Sequence, residues 1–468
     1  MFRSIIPRIR IRRRLLFILV MAFQLCFLLY VLFMNYKSNI KIGKNVGSST
    51  GRLNEQKLMR TAKSSVATCK TKATRRFPDL YSIAPVQLDK TNVGDQYFVS
   101  YNGTRCFKFG TLRRKEKNGC VCQKGWTGNA CSTPEVARVG ISKLPQEIQR
   151  KIKIRKHPRK VVISMLLNHE FDTLEALVRE LTGLVDVVMI EESNFTLHGD
   201  PKLPLFYQKL HSGYLCDFYS NIIYIYLDHF LEDGKTNGFK MEGYARNYIS
   251  KGFPSIAELR PDDLFLHLDA DEVPSRDAIA FLKFHDGYPE PFGFVLRWSV
   301  YGYFWKMNRV WTVQSAGCSV GMLRQVYDNQ PGTVRGGIGH IQQGKIREYK
   351  KGGNDVLVWQ LGEQGKFAGW HCSWCFDING IKTKLLSALS GDGERFGDDP
   401  KKQKLDFLRT LVREGRWFDG DYLEPKGIKM ASPATDKFFA PNFILSNKKR
   451  FKHLITNYLL DENKKDDK

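Results

Sequence analysis

A run of apolar residues that ends abruptly in carboxylates constrains this chain more than any other stretch. Within residues 261–274, PDDLFLHLDADEVP, Leu264, Phe265, Leu266, His267 and Leu268 form a short apolar run bounded by polar residues, the pattern of a buried strand. Asp269, Asp271 and Glu272 follow at once, with only Ala270 between the two aspartates. A strand that ends in an Asp-x-Asp step sets two carboxylates at the carboxyl edge of a sheet, where open α/β folds bind their ligands. Two hard oxygen donors there suit Mn²⁺ or Mg²⁺, and such an ion in turn holds a diphosphate. Alone, the step also reads as an acidic turn. Its surroundings decide.

Those surroundings alternate strand with helix. Residues 161–167 form an apolar strand followed by Asn168, His169 and Glu170. Leu174, Leu177, Val178 and Leu181 then recur at helical spacing. A second strand over 185–190 ends in Glu191 and Glu192, and a third over 222–227 ends in Asp228 and His229. This alternation predicts a Rossmann-type, mostly parallel sheet over residues 160–455, with polar residues gathered at one edge. No Gly-x-Gly-x-x-Gly follows the first strand, which speaks against a dinucleotide redox cofactor. Asn168, Glu170, Glu191 and Glu192 are expected to face a nucleotide, and Arg246, Arg276 and Lys306 to balance its phosphates.

The N-terminal third has a different character. Residues 15–34 hold twenty positions with no charge, long enough to cross a bilayer as a helix. Arg3, Arg8, Arg10, Arg12, Arg13 and Arg14 precede them, so the positive-inside rule expects a cytoplasmic tail (1–14), a signal anchor (15–34) and everything later beyond the membrane. Residues 35–105 read as a stem, and 132–159 as a basic linker. Much of the formal charge of +25 lies in the tail and that linker, which argues against a nucleic-acid partner. Nine of the ten cysteines would then meet an oxidising compartment, and an odd number leaves at least one thiol unpaired within the chain. The sequons at Asn102 and Asn194 fit the same route. In residues 106–131, a Cys122–Cys131 bridge around Gly125 and Gly128 would close a partial EGF-like staple.

The remaining blocks carry a resemblance. They are Leu166-Leu-Asn-His-Glu170, Glu192-Ser-Asn-Phe-Thr196, Leu227-Asp-His-Phe230, Arg260-Pro-Asp-Asp263, Asp269-Ala-Asp-Glu272, Tyr301-Gly302 with Phe304-Trp-Lys306, residues 367–376 (FAGWHCSWCF), and Trp417-Phe-Asp-Gly420. In this order the chain resembles glycosyltransferase family 17, the β-1,4-mannosyl-glycoprotein 4-β-N-acetylglucosaminyltransferases. The resemblance implies a GT-A-like fold and an inverting transfer of GlcNAc from UDP-GlcNAc to the β-linked core mannose of an N-glycan in the Golgi. It implies Mn²⁺ (or Mg²⁺) at Asp269 and Asp271; His371, about a hundred residues on, reads either as a third ligand, an arrangement other GT-A enzymes use, or as a structural histidine. A carboxylate must take the acceptor's proton. Asp392, in the Gly-flanked loop Ser390-Gly-Asp-Gly393, is the first choice and Glu272 its rival; Asp277, Asp286, Glu290, Asp398 and Asp419 also stand at matching positions. The Cys372-x-x-Cys375 pair reads as a disulfide partner set rather than zinc, since no fourth ligand is near. Asp-x-Asp does not encode the sugar, so another UDP-sugar is the alternative within the fold. A catalytically dead surface binding protein is the alternative outside it, and the intact acidic pair argues against that.

Overall fold

The computed structural model describes residues 97–101, 103–112, 119–235, 237–387, 396–424 and 428–460. The expected tail, signal anchor and most of the stem lie outside these residues, as do Asn102, Asp392 and the last eight residues. Among the described residues no helix is long and apolar enough to cross a membrane.

The chain forms a mixed α/β fold around a nine-stranded sheet. Its strands are β1 (Val161–Leu166), β2 (Val187–Ser193), β3 (Ile222–Leu227), β4 (Leu264–His267), β5 (Glu272–Pro274), β6 (Glu290–Val300), β7 (Gly302–Ser319), β8 (Val356–Leu361) and β9 (Gly369–Ser373). They lie in the order β5-β9-β6-β7-β4-β1-β2-β3, with β8 beside β6. The helices that matter for the site are α1 (Phe171–Glu180), α2 (Leu205–His211), α3 (Gly238–Tyr248), α4 (Arg276–Phe284), α5 (Pro331–Arg335) and α6 (Ile378–Ser387).

The apolar runs become strands because both faces are covered. Leu264, Phe265 and Leu266 of β4 are fully buried, and so are Val161, Val162 and Ile163 of β1. Helix α1 turns Leu174, Leu177 and Val178 into the core, as their spacing requires. β4, β1, β2 and β3 pair in parallel, with Val161 opposite Leu264 and Leu166 opposite Glu191. This register brings the carboxyl ends of four strands to one edge.

Beyond β4 the sheet is no longer parallel. β6 and β7 are joined by the single residue Tyr301 at φ 61°, so they can only pair antiparallel, and β7 then pairs antiparallel with β4. β9 lies parallel to β6 and antiparallel to β5. The expectation of a mostly parallel sheet therefore describes one half of it.

The stretch 132–159 is integrated rather than a free linker. Val136, Ala137, Leu144 and Ile148 are buried in the main core, and Gly362 N–H donates to Val136 C=O at 2.8 Å. Its basic side chains are answered by acids of the sheet domain: Lys151 meets Asp355 at 2.7 Å, and Arg155 pairs with Asp262 and Asp286. The cysteine cluster also joins this core, with the Phe107 ring 5.3 Å from that of Phe284. It carries two bridges, Cys106–Cys120 and Cys122–Cys131. A third joins Cys372 to Cys375, while Cys318 is buried and free. The buried Arg297 is paired, its Nε donating to Asp436 at 2.9 Å.

Candidate active site

The strand ends enclose a cavity of about 400 Å³, within the size range of small-molecule sites. Asn168, Glu170, Glu191, Asp269, Asp271 and His371 all line it. Residues separated by two hundred positions in sequence thus share one wall, because β1, β2, β4 and β9 deliver them to it.

The turn after β4 is tightly built. Glu272 N–H donates to Asp269 C=O at 2.9 Å, and Asp269 N–H donates to Glu272 Oε2 at 3.0 Å. Glu272 Oε1 accepts from Trp311 Nε1 at 2.9 Å, and Arg335 reaches both oxygens at 2.9 and 3.1 Å. Glu272 is fully buried, lies outside the cavity lining and has four donors on its carboxylate. Its place is to anchor Arg335.

Arg335 also reaches Asp269 Oδ2 at 2.9 Å, while Arg246 of α3 reaches Oδ1 at 2.8 Å. Burial works against the charge on Asp269, but these two guanidiniums hold its carboxyl far below the usual range. Arg246 is itself fixed by Glu242 at 2.7 Å and by His267 Nε2 at 3.1 Å. His267 must therefore accept at Nε2, and burial together with Arg246 keeps its pKa well below normal. Asp269 is thus saturated on both oxygens.

Asp271 is placed differently. One oxygen, Oδ2, meets Lys384 of α6 at 3.3 Å; the other, Oδ1, lies 3.6 Å from His371 Nδ1. The β5–β9 pairing sets His371 opposite Glu272, next to Asp271. Its ring stacks on Trp311 at 4.2 Å and its Nε2 faces Ser373 Oγ at 2.7 Å, while Nδ1 is buried with no hydrogen-bond partner.

Lys384 continues to Glu170 Oε1 at 3.4 Å. Glu170 Oε2 accepts from the backbone N–H groups of Asn168 and His169, both at 3.0 Å. Burial opposes ionisation here too, but Lys384, His169 and those N–H groups pull the Glu170 carboxyl down to about 2. Asn168 bridges Ser387 Oγ at 2.7 Å and Lys202 Nζ at 3.1 Å.

At the end of β2 the two glutamates point to opposite sides of the strand, as period-two geometry demands. Glu192 lies outside the cavity and accepts from the N–H groups of Phe206 and Tyr207, at 2.7 and 3.0 Å, and from Tyr224 OH at 3.0 Å. It stabilises the start of α2. Of the two, Glu191 takes the cavity side. Its Oε1 is buried without a partner, and burial, opposed by Lys202 and aided by Glu192, lifts its carboxyl to about 8.

Of the three cations expected near phosphates, only Arg246 lines the cavity. Arg276 donates to the carbonyls of Glu180 and Thr182, both at 2.8 Å, and Lys306 pairs with Asp436 at 3.1 Å. Asp277, Asp286, Glu290, Asp398 and Asp419 stand outside the cavity lining. The Asn194 sequon is folded into the wall: Asn194 Oδ1 is buried without a partner and Thr196 lines the cavity.

Sequence reasoning missed Arg335, Lys384 and Lys202. No local pattern marks Arg335 or Lys384, and tertiary pairing alone gives them their roles. Trp311 carried no signal either, as one aromatic among many in β7.

Residues 146–320 match the family model described as glycosyltransferase family 17. A human β-1,4-mannosyl-glycoprotein 4-β-N-acetylglucosaminyltransferase is 40% identical over 340 residues, which cover 72% of this chain and 62% of that protein. The rat protein of the same name is 39% identical over 340 residues, covering 72% of this chain and 61% of its own. The chain therefore spans about three fifths of the length of these relatives. The strands that build the cavity wall from β1 to β7 fall inside the segment that matches glycosyltransferase family 17.

Proposed function

We propose that the chain is an inverting glycosyltransferase that moves GlcNAc from UDP-GlcNAc, in β-1,4 linkage, to the β-linked core mannose of an N-glycan. The reading places a GT-A-like catalytic domain in the Golgi lumen, held by residues 15–34 as a type II anchor. One observation carries the chemistry: Asp269, Asp271 and His371 converge at the carboxyl edge of the parallel half-sheet, in a chain that matches family 17 and whose relatives bear that enzyme's name.

The charge of the cavity supports a nucleoside diphosphate that arrives with a divalent ion. Lys202, Arg246 and Lys384 of the lining face the carboxylates of Glu170, Glu242, Asp269 and Asp271, with Glu191 protonated, while Arg335 behind them is taken up by Glu272 and Asp269. Such a site has no surplus positive charge for a diphosphate. Asp271 Oδ1 and the unpartnered His371 Nδ1 fit an ion. In the tautomer whose Nε2–H donates to Ser373 Oγ, Nδ1 would be free to ligate. Among the described residues no cluster of three such ligands exists, so phosphate and water would have to complete the ion's shell. When bound, the ion would neutralise the diphosphate as it leaves.

The chain's own residues do the rest. Asp269 holds Arg246 and Arg335 in fixed orientation under the diphosphate position. Glu191 lies two strands from Asp269, roughly 10 Å away, and serves the nucleoside end with Asn168 and Lys202. The acceptor's proton goes to Asp392, a few residues beyond Ser387 and Lys384 of the cavity wall. Glu272 is too heavily engaged for that task.

Detergent-solubilised full chain, supplied with UDP-GlcNAc, Mn²⁺ and a biantennary N-glycan, should release UDP and lengthen the glycan by one GlcNAc. Asp271→Ala should lower turnover more than 100-fold while the chain still folds. Release with a different UDP-sugar alone would overturn the donor assignment, and turnover by the Asp271 variant would overturn the site.

A further inference from the structure

We infer that Lys384 is the resident counter-ion of Asp271 and competes with the divalent ion for it, an inference that rests on the metal assignment above. The Lys384 ammonium stands 3.3 Å from Asp271 Oδ2 and 3.4 Å from Glu170 Oε1. Two buried carboxylates need a cation between them to remain charged, and Lys384 is that cation. The faces of Trp374 and Phe376, at 5.8 and 5.5 Å, cradle it further.

The other oxygen of the same carboxylate faces His371 Nδ1, which has no hydrogen-bond partner. Asp271 therefore has a protein cation on one side and an unused ligand atom on the other. An ion held by Asp271 and His371 would stand within a few ångströms of the ammonium, and like charges at that distance inside a protein repel strongly. Lys384 must give way, and its flexible four-carbon stem allows that without moving α6. The group that can then accept the ammonium is the diphosphate arriving with the ion. Ion and nucleoside diphosphate should consequently bind weakly alone and tighten each other, because the diphosphate replaces the partner that the ion takes from Lys384, which otherwise keeps Glu170 alone.

The test is a Mn²⁺ titration of the full chain in detergent, following the paramagnetic resonance signal of the free ion with and without UDP. Lys384→Met and Lys384→Gln should bind Mn²⁺ alone about tenfold more tightly than the parent, and UDP should tighten that binding less. Lys384→Arg, which keeps the charge, should stay near the parent. The Gln variant retains donors for both carboxylates and covers the case in which Met disturbs folding. Unchanged or weaker Mn²⁺ binding in a folded neutral variant overturns the inference and leaves the metal assignment standing. A parent chain that transfers sugar but binds no Mn²⁺ overturns both.

Discussion

Glu272 shows how a residue next to the acidic pair can matter without touching substrate. Its carboxylate takes Trp311, both arms of Arg335 and the Asp269 N–H, in full burial. Removing the charge leaves Arg335 buried and half paired, which costs about 3 kcal/mol. Glu272→Gln should lower the urea-unfolding free energy by about that amount and reduce turnover through a loosened Asp269. A variant of unchanged stability that nevertheless loses turnover would restore Glu272 as the proton acceptor. Glu191 makes a prediction in pH. Its folded carboxyl titrates near 8 against an ordinary 4.5. Between those values the folded chain keeps a proton that the unfolded chain has lost, so this group makes stability fall as pH rises. Glu191→Gln removes the slope. The variant should match the parent near pH 5 and exceed it at pH 8 by roughly 2–4 kcal/mol, read from urea midpoints at the two pH values. Equal differences at both would show that Glu191 is ionised in the fold.

At the scale of elements, the β5–β9 pair decides where His371 stands. Its register, Glu272 opposite His371 and Pro274 opposite Gly369, needs close backbone approach. A Cβ at Gly369 would lie 2.3 Å from the Val273 carbonyl oxygen, at a φ of +154° that side chains rarely adopt. Gly369→Ala should therefore separate the strands, destabilise the fold by about 1–3 kcal/mol, and weaken Mn²⁺ binding through the displaced His371. Thermal unfolding and ion titration together check this, and an unchanged ion affinity would detach His371 from the metal. Elements of this kind were only half visible beforehand. β1 to β4 and α1 announced themselves by apolar runs and helical spacing, because local burial on both faces dictates composition. The mixed half did not: β6 and β7 are a local hairpin, but β7 is set against β4, and β9 against β6 and β5, by partners far away in sequence. The segment 132–159 misled for a related reason: its basic residues looked solvated, but acids such as Asp355, Asp286 and Asp262 await them across the fold.

For the molecule as a whole, the same division separates what was legible in the site from what was not. Asp269, Asp271, Asn168 and Glu170 could be placed because each follows directly from a strand end. Glu191 and Glu192 were both candidates, and only the alternation along β2 separates them, sending Glu191 to the cavity and Glu192 to the start of α2. Arg335 and Lys384 required the fold itself, since α5 and α6 are remote in sequence from the residues they neutralise. The site that results has no surplus positive charge before any ligand arrives, and on the proposed reading the donor and its ion together complete it. The central claim is transfer to one sugar of one glycan, and the most direct measurement is the structure of the product. Full chain incubated with UDP-GlcNAc, Mn²⁺ and a biantennary N-glycan should yield a glycan with one added GlcNAc, and magnetic resonance of that product should place it in β-1,4 linkage on the β-linked core mannose. A GlcNAc found on an α-linked mannose, or a glycan returned unchanged, would contradict the account.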